Sequence, residues 1–238
     1  MDINISKFLD STYLKTSKES AISESDTQVL VEEKIKEAIE KKFACIMIRP
    51  RFVSIAKGII SNAEYKPNIG TVIDFPLGQG TTEEKVKEAE CAIINGADEI
   101  DFVCDYNAFK RGSIKKFVND ILQGTKVGIN NCVIVKWIIE TGALSKDEIR
   151  DISIKIVEVV QSKFPESCED IYIKTSTGYY SGYGATVKDI RLIKSVIGNL
   201  KIKASGGIKS LNDCFLMIKS GADRIGTSKA IEIYKEKN

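Results

Sequence analysis

The sequence predicts an α/β chain folded as a single-domain, closed (β/α)8 barrel of the TIM type across residues 1–238, with a short N-terminal segment. Three observations carry this. Short apolar runs alternate with amphipathic, charge-laced stretches along the whole length. Eight such runs can be counted, at about 30 residues per unit, the spacing a closed barrel requires. No Pro-rich, Ser/Gly-rich or single-sign tract interrupts them, and four prolines leave little material for a linker.

The candidate strands, in chain order, are FLDST (8–12), ACIMIR (44–49), IGTVIDF (69–75), EIDFVC (99–104), CVIVKWIIE (132–140), DIYIKTS (170–176), KIKAS (201–205) and RIGTS (224–228). Between the first two lies SDTQVLVEEKIKEAIEKKF, and between the third and fourth TTEEKVKEAECAIINGA. Their Glu/Lys pairs at helical spacing and their opening Ser, Asp or Thr mark capped surface helices. NGADEID (95–101) and SGADRIG (220–226) echo one another, each with a glycine placed to end a helix before the next strand. Gly96 and Gly221 are 221 − 96 = 125 positions apart, about four βα units, as matching places in two half-barrels would be. An open doubly wound sheet is the alternative architecture, but no GxGxxG follows an early strand.

Composition narrows the function. The 35 basic and 33 acidic residues nearly cancel, so neither a nucleic acid nor a membrane surface is indicated as a partner. The N-terminus has no apolar h-region, and the most apolar run is interrupted by Lys136; a cytoplasmic protein is expected. Six scattered cysteines lack metal-knuckle spacing and read as reduced and mostly core; no metal site is expected. With no histidine anywhere, Ser-His-Asp and Cys-His catalysis and imidazole-ligated zinc are excluded. Chemistry falls to Lys, Asp, Glu, Tyr, Cys or the backbone, and no cofactor is called for.

In a barrel the C-terminal strand ends converge on one mouth. Lys174 ends one candidate strand and Lys203 the next, so two ammonium groups share a confined space. Like charge and desolvation both favour a free amine, lowering one lysine from about 10.4 toward neutrality. Such an amine forms imines with aldehydes and ketones, and the protonated imine is an electron sink for the adjacent carbon–carbon bond. A lysine paired with a carboxylate is the plainer alternative for Lys174, and the second strand-end lysine weighs against it. Asp101, projecting inward from an earlier strand, is the acid/base candidate. Lys136 is either a further inward charge with a chemical role or a salt-bridge partner positioning Asp101. Asp98 and Glu99 read as solvated or structural. Gly178 follows Lys174, Gly206 and Gly207 follow Lys203, and Ser228 and Lys229 follow the last strand, so three successive loops present backbone N–H groups suited to an anion such as phosphate.

These motifs resemble those of the deoxyribose-phosphate aldolases. The resemblance covers nearly the whole chain: LDSTYLK (9–15), DFPLG (74–78), GADEIDFV (96–103), VKWIIET (135–141), IKTSTG (173–178), KASGGI (203–208) and GADRIGTS (221–228), in order and spacing. It implies class I cleavage of 2-deoxy-D-ribose 5-phosphate to D-glyceraldehyde 3-phosphate and acetaldehyde. By motif match it puts the Schiff-base lysine on Lys174, the pKa-lowering lysine on Lys203 and the proton-relay aspartate on Asp101. The phosphate-binding main chain falls on Gly178, Gly206 and Gly207 with Ser228, while Asp10, Thr12 and Lys136 line or support the site. It implies small phosphosugar and aldehyde partners, no metal and no cofactor, and barrels of this type often form homodimers. Ser11 stands where many members have His, Met47 where many have Cys, Arg49 where many have Asn and Lys229 where a second serine is usual. Lys229 either strengthens phosphate binding or points to solvent, and the residues give Arg49 no purpose.

Overall fold

A computed structural model describes residues 3–237. Eight parallel strands close on one another in sequence order: β1 (Leu9–Tyr13), β2 (Cys45–Ile48), β3 (Asn68–Ile73), β4 (Glu99–Val103), β5 (Ile134–Ile138), β6 (Ile171–Lys174), β7 (Lys201–Ser205) and β8 (Arg224–Thr227). Six of the eight lie inside the runs expected from the sequence, while β1 runs one residue past its run to Tyr13 and β3 starts one residue before its run at Asn68. The last expected run but one, Lys201–Ser205, coincides with its strand. β5 is shorter than CVIVKWIIE because Cys132 turns into a left-handed conformation at one end and Glu140 at the other.

The helices are α1 (Ser17–Ser20), α2 (Glu24–Glu40), α3 (Val53–Ser61), α4 (Thr82–Ile94), α5 (Tyr106–Lys110), α6 (Ile114–Asn130), α7 (Lys146–Lys163), α8 (Val187–Lys194), α9 (Leu211–Lys219) and α10 (Ala230–Lys237). The N-terminal segment is a 3-10 turn, Ile5–Phe8, running straight into β1. α4 starts as expected, Thr81 and Glu84 forming a reciprocal capping box. α2 starts earlier than expected, with Ser23 rather than Ser25 accepting from Asp26 N, because the extended backbone of Ser23 lets its hydroxyl reach the first free amides. None of these helices is long and apolar enough to cross a membrane.

The two echoed segments act alike. Gly96 and Gly221, both at positive φ, follow α4 and α9, where a side chain would strike Lys57 and Lys194. Asp98 and Asp223 then bracket the second residue of the preceding strand: Asp98 N donates to Ile69 O while Ile69 N donates to the Asp98 carboxylate, and Asp223 does the same with Ile202. The β3–β4 and β7–β8 junctions are thereby built the same way, four units apart.

The strand period of two sorts the side chains. Outward residues such as Ile46, Ile48, Phe102, Trp137 and Ile173 pack against the helices in the main core, with Phe102 and Trp137 stacked at 4.7 Å. Inward residues divide by polarity. Leu14, Cys45, Met47 and Val72, with Phe75 against them, fill the side under β1–β3 with an apolar cluster. The other side holds buried charge: Asp10, Glu99, Asp101, Lys136, Lys174, Lys203 and Arg224. Four cysteines are buried, as expected for core residues, while Cys91 and Cys132 are exposed.

Candidate active site

Strand register brings the charges together. Lys174 and Lys203 are paired residues of β6 and β7, as are Asp101 and Lys136 of β4 and β5. Lys136 Nζ donates to Glu99 Oε2 at 2.5 Å and to Asp101 Oδ1 at 2.8 Å. Lys203 Nζ donates to Asp101 Oδ2 at 2.9 Å and lies 2.6 Å from Asp10 Oδ2. Arg224 closes the circuit, donating Nε to Asp10 Oδ1 at 2.7 Å and Nη1 to Glu99 Oε1 at 3.1 Å. The result is a ring of alternating sign, in which each cation bridges two carboxylates and each carboxylate two cations. Lys174 stands outside it, donating to Asp101 Oδ2 at 2.8 Å.

This arrangement decides which lysine is reactive. Burial disfavours the Lys174 ammonium most strongly, and the charges of Lys203 and Lys136 add to that; Asp101 opposes them, and the outcome is a pKa lowered to about 8. Lys203 is equally buried, yet Asp10 and Asp101 outweigh the desolvation and hold it charged above the ordinary lysine value. Like charge and desolvation were both expected to depress one of the pair; burial is the larger cause, and the ring selects Lys174. Burial also opposes charge at Asp101, but Lys136, Lys174 and Lys203 hold its carboxyl well below the usual range. Glu99 is pulled down to about 2, Lys136 and Arg224 overcoming its burial. Its carboxylate, entirely enclosed, belongs to the structural alternative rather than the solvated one. Lys136 pairs with Asp101, the salt-bridge alternative of the two left open. Asp10, Cys45 and Glu99 crowd together deep in the barrel, but Lys203, Arg224 and Lys136 already neutralise these carboxylates.

Above the ring lies a cavity of about 730 Å³. Lys174 reaches it, with Thr12, Gly178, Gly206, Gly207 and Ser228 on its walls. Asp101, Lys203, Lys136 and Asp10 do not: all four are fully enclosed beneath the floor. Gly178, Gly206 and Gly207 have φ values of 81°, 89° and 76°, a region where a side chain would be strained, and among the described residues none of their N–H groups, nor that of Ser228, donates to the protein. Lys229 lines the same cavity while pairing with Glu232 at 2.9 Å, so it stands at the wall with its charge already partnered.

Two residues carry roles that strand-end motifs do not reveal. Glu140, just past β5, is buried in a left-handed conformation, φ 57°; one carboxylate oxygen accepts from Thr177 N at 3.1 Å and from the Thr177 hydroxyl, and the other has no hydrogen-bond partner among the described residues. Burial raises its pKa. It fixes the turn between Lys174 and Gly178, and the ET of VKWIIET was its only sequence signal. Arg49 donates Nε to Leu14 O at 2.7 Å and Nη1 to Phe75 O at 3.3 Å, with its guanidinium 4.9 Å from the Phe75 ring, so it ties together the loops after β1 and β3.

The family model described as DeoC/LacD family aldolase matches residues 14–228. The chain is 37% identical to the deoxyribose-phosphate aldolase of Caldanaerobacter subterraneus subsp. tengcongensis, over 98% of this chain and 94% of that protein. It is 41% identical to the deoxyribose-phosphate aldolase of Mycoplasmoides pirum, over 84% of this chain and 86% of the relative. Among solved structures, the tetrameric deoxyribose phosphate aldolase of Aeropyrum pernix superposes with a TM-score of 0.79 at 27% identity, covering 98% of this chain and 90% of that one.

Proposed function

This chain belongs to the DeoC/LacD aldolase family, and from that premise we propose that it is a class I aldolase cleaving 2-deoxy-D-ribose 5-phosphate reversibly to D-glyceraldehyde 3-phosphate and acetaldehyde. The observation that carries this is the position of Lys174: alone among the charges of the interior it reaches the cavity, and its pKa is lowered to about 8. A substantial fraction of it is therefore free amine near neutral pH.

In the proposed reaction, Lys174 Nζ attacks the C1 aldehyde of the open-chain sugar, and loss of water gives a protonated imine. Removal of the C3 hydroxyl proton lets that oxygen form a carbonyl. The C2–C3 bond breaks, and its electron pair becomes the enamine double bond as the iminium nitrogen takes up electrons. Protonation at C2 and hydrolysis release acetaldehyde and restore the amine. Asp101 is the proposed proton store; enclosed beneath the floor, it exchanges protons with the cavity through Lys174 or water rather than by touching the sugar. Lys136 and Lys203 help to keep Asp101 ionised, the charge of Lys203 also lowers Lys174, and Asp10 holds Lys203 in place, with Thr12 on the cavity wall. The undonated N–H groups of Gly178, Gly206, Gly207 and Ser228 support a phosphate site there, Ser228 lying just before α10. The proposal extends to a single catalytic unit across the chain, a cytoplasmic setting and a homodimer.

Borohydride reduction in the presence of acetaldehyde should leave a two-carbon adduct on the Lys174 peptide, read by mass spectrometry. D-glyceraldehyde 3-phosphate release from deoxyribose 5-phosphate, with acetaldehyde as co-product, should far exceed that from ribose 5-phosphate, whose co-product would be glycolaldehyde; this separates the activity from that of a lysine-imine aldolase for another phosphosugar. Because the attacking species is the free amine, kcat/KM should rise with pH through about 8. An adduct on another lysine, or none, would refute the mechanism.

A further inference from the structure

Tyr179 reaches from the loop after β6 to the loop after β1, its hydroxyl donating to Leu14 O at 3.0 Å and lying 3.4 Å from a Glu19 carboxylate oxygen. In a closed ring of eight strands these loops are not neighbours. The contact is therefore a chord across the mouth, with β7 and β8 on one side and β2 to β5 on the other. The cavity keeps to one side of that chord. Its lining comes from residues 12–19, 174–179, 205–209 and 226–232, with Lys34 of α2, and includes none from the loops after β2 to β5.

The chord is braced from its far side. The Phe75 ring meets the Tyr179 ring edge-on, centroids 5.0 Å apart at 85°. The Arg49 guanidinium lies 6.0 Å from the Tyr179 ring centroid, and its Nε shares Leu14 O with the tyrosine hydroxyl. A planar cation against two aromatic rings, bonded to two backbone carbonyls, fixes a side chain that would otherwise swing on its loop.

We propose that Tyr179 sets the size of aldehyde the site accepts, acting as a partition that confines substrate to the β6–β1 side, with Arg49 as the residue that positions it. This rests on the imine chemistry of Lys174. Removing the partition joins the cavity to the other half of the mouth and admits aldehydes with a bulky apolar group.

The test is imine trapping with two probes, acetaldehyde and 3-phenylpropanal. In each case the Lys174 amine adds to the carbonyl carbon, water leaves, and borohydride delivers hydride to the carbon–nitrogen double bond, so the adduct can be weighed without turnover. Tyr179→Ala should raise the ratio of 3-phenylpropanal to acetaldehyde adduct about tenfold, the scale on which a pocket wall discriminates by size. Tyr179→Phe, which keeps the ring, should leave the ratio near the parent value. Arg49→Met should shift it in the direction of Tyr179→Ala, by less. Acetaldehyde trapping at the parent level in all three variants shows that folding and the reactive amine are intact. An unchanged ratio in Tyr179→Ala, or a ratio in Tyr179→Phe as high as in Tyr179→Ala, overturns the partition. A parent protein that traps no acetaldehyde on Lys174 removes the aldolase reading and this inference with it; trapping in the parent with no change of ratio removes this inference alone.

Discussion

Lys136, Lys203 and Arg224 each touch two carboxylates, whereas Lys174 touches, among the described residues, the carboxylate of Asp101 alone. Three carboxylates are matched by the three ring cations, so the fourth cation is surplus, and its proton is the one the interior gives up most easily. A lysine whose pKa falls from 10.5 to about 8 on folding is less well solvated inside the protein than outside, so its charge works against the fold. Lys174→Met should therefore melt no lower than the parent near pH 7. Lys136→Met, which leaves Glu99 and Asp101 each short of a partner, should cost about 3–5 kcal/mol in urea unfolding. Comparable losses in the two variants would contradict the ring. Lys174, Lys203 and Asp101 were legible in the sequence because a charge at the end of an apolar strand run is conspicuous. The ring was not, since it depends on Arg224 meeting Glu99 and Asp10 across a closure no local pattern encodes, and Glu99 reads locally as an ordinary polar strand start.

At the scale of elements, all eight strands were visible as apolar runs, and the two helix starts read from the sequence, those of α2 and α4, lay within two residues of their caps. The close approach of α6 to the barrel was not. Gly124 and Gly128, one helical turn apart, bring α6 so near β5 that a methyl group at Gly124 would lie 2.7 Å from the Trp137 ring, and one at Gly128 2.1 Å from a Val135 methyl and 3.1 Å from Val133 O. In sequence these glycines look like weak points of a helix, since alanine is favoured there by about 1 kcal/mol. Here packing outweighs propensity. Gly128→Ala should destabilise by about 1–3 kcal/mol in chemical denaturation despite its better helix propensity, because β-branched Val135 cannot swing its methyl far aside.

Across the whole molecule, the echo between residues 95–101 and 220–226 pointed to two half-barrels, and the matching Asp98 and Asp223 brackets give it a structural meaning. The interior charges add something the echo did not. Asp10, Glu99 and Asp101 all come from the first four strands, and Lys136, Lys174, Lys203 and Arg224 all come from the last four. The halves are alike in architecture and opposite in sign. Expressed as two polypeptides divided between Asn131 and Cys132, neither half should assemble with itself, since a second copy would press acid on acid or base on base inside a closed sheet. Mixed, they should associate one to one and recover aldehyde trapping on Lys174, as sedimentation and mass spectrometry would report. The charges that tune the amine would then also work as a lock and key between the halves, selecting against the symmetric barrels that a repeated architecture would otherwise allow.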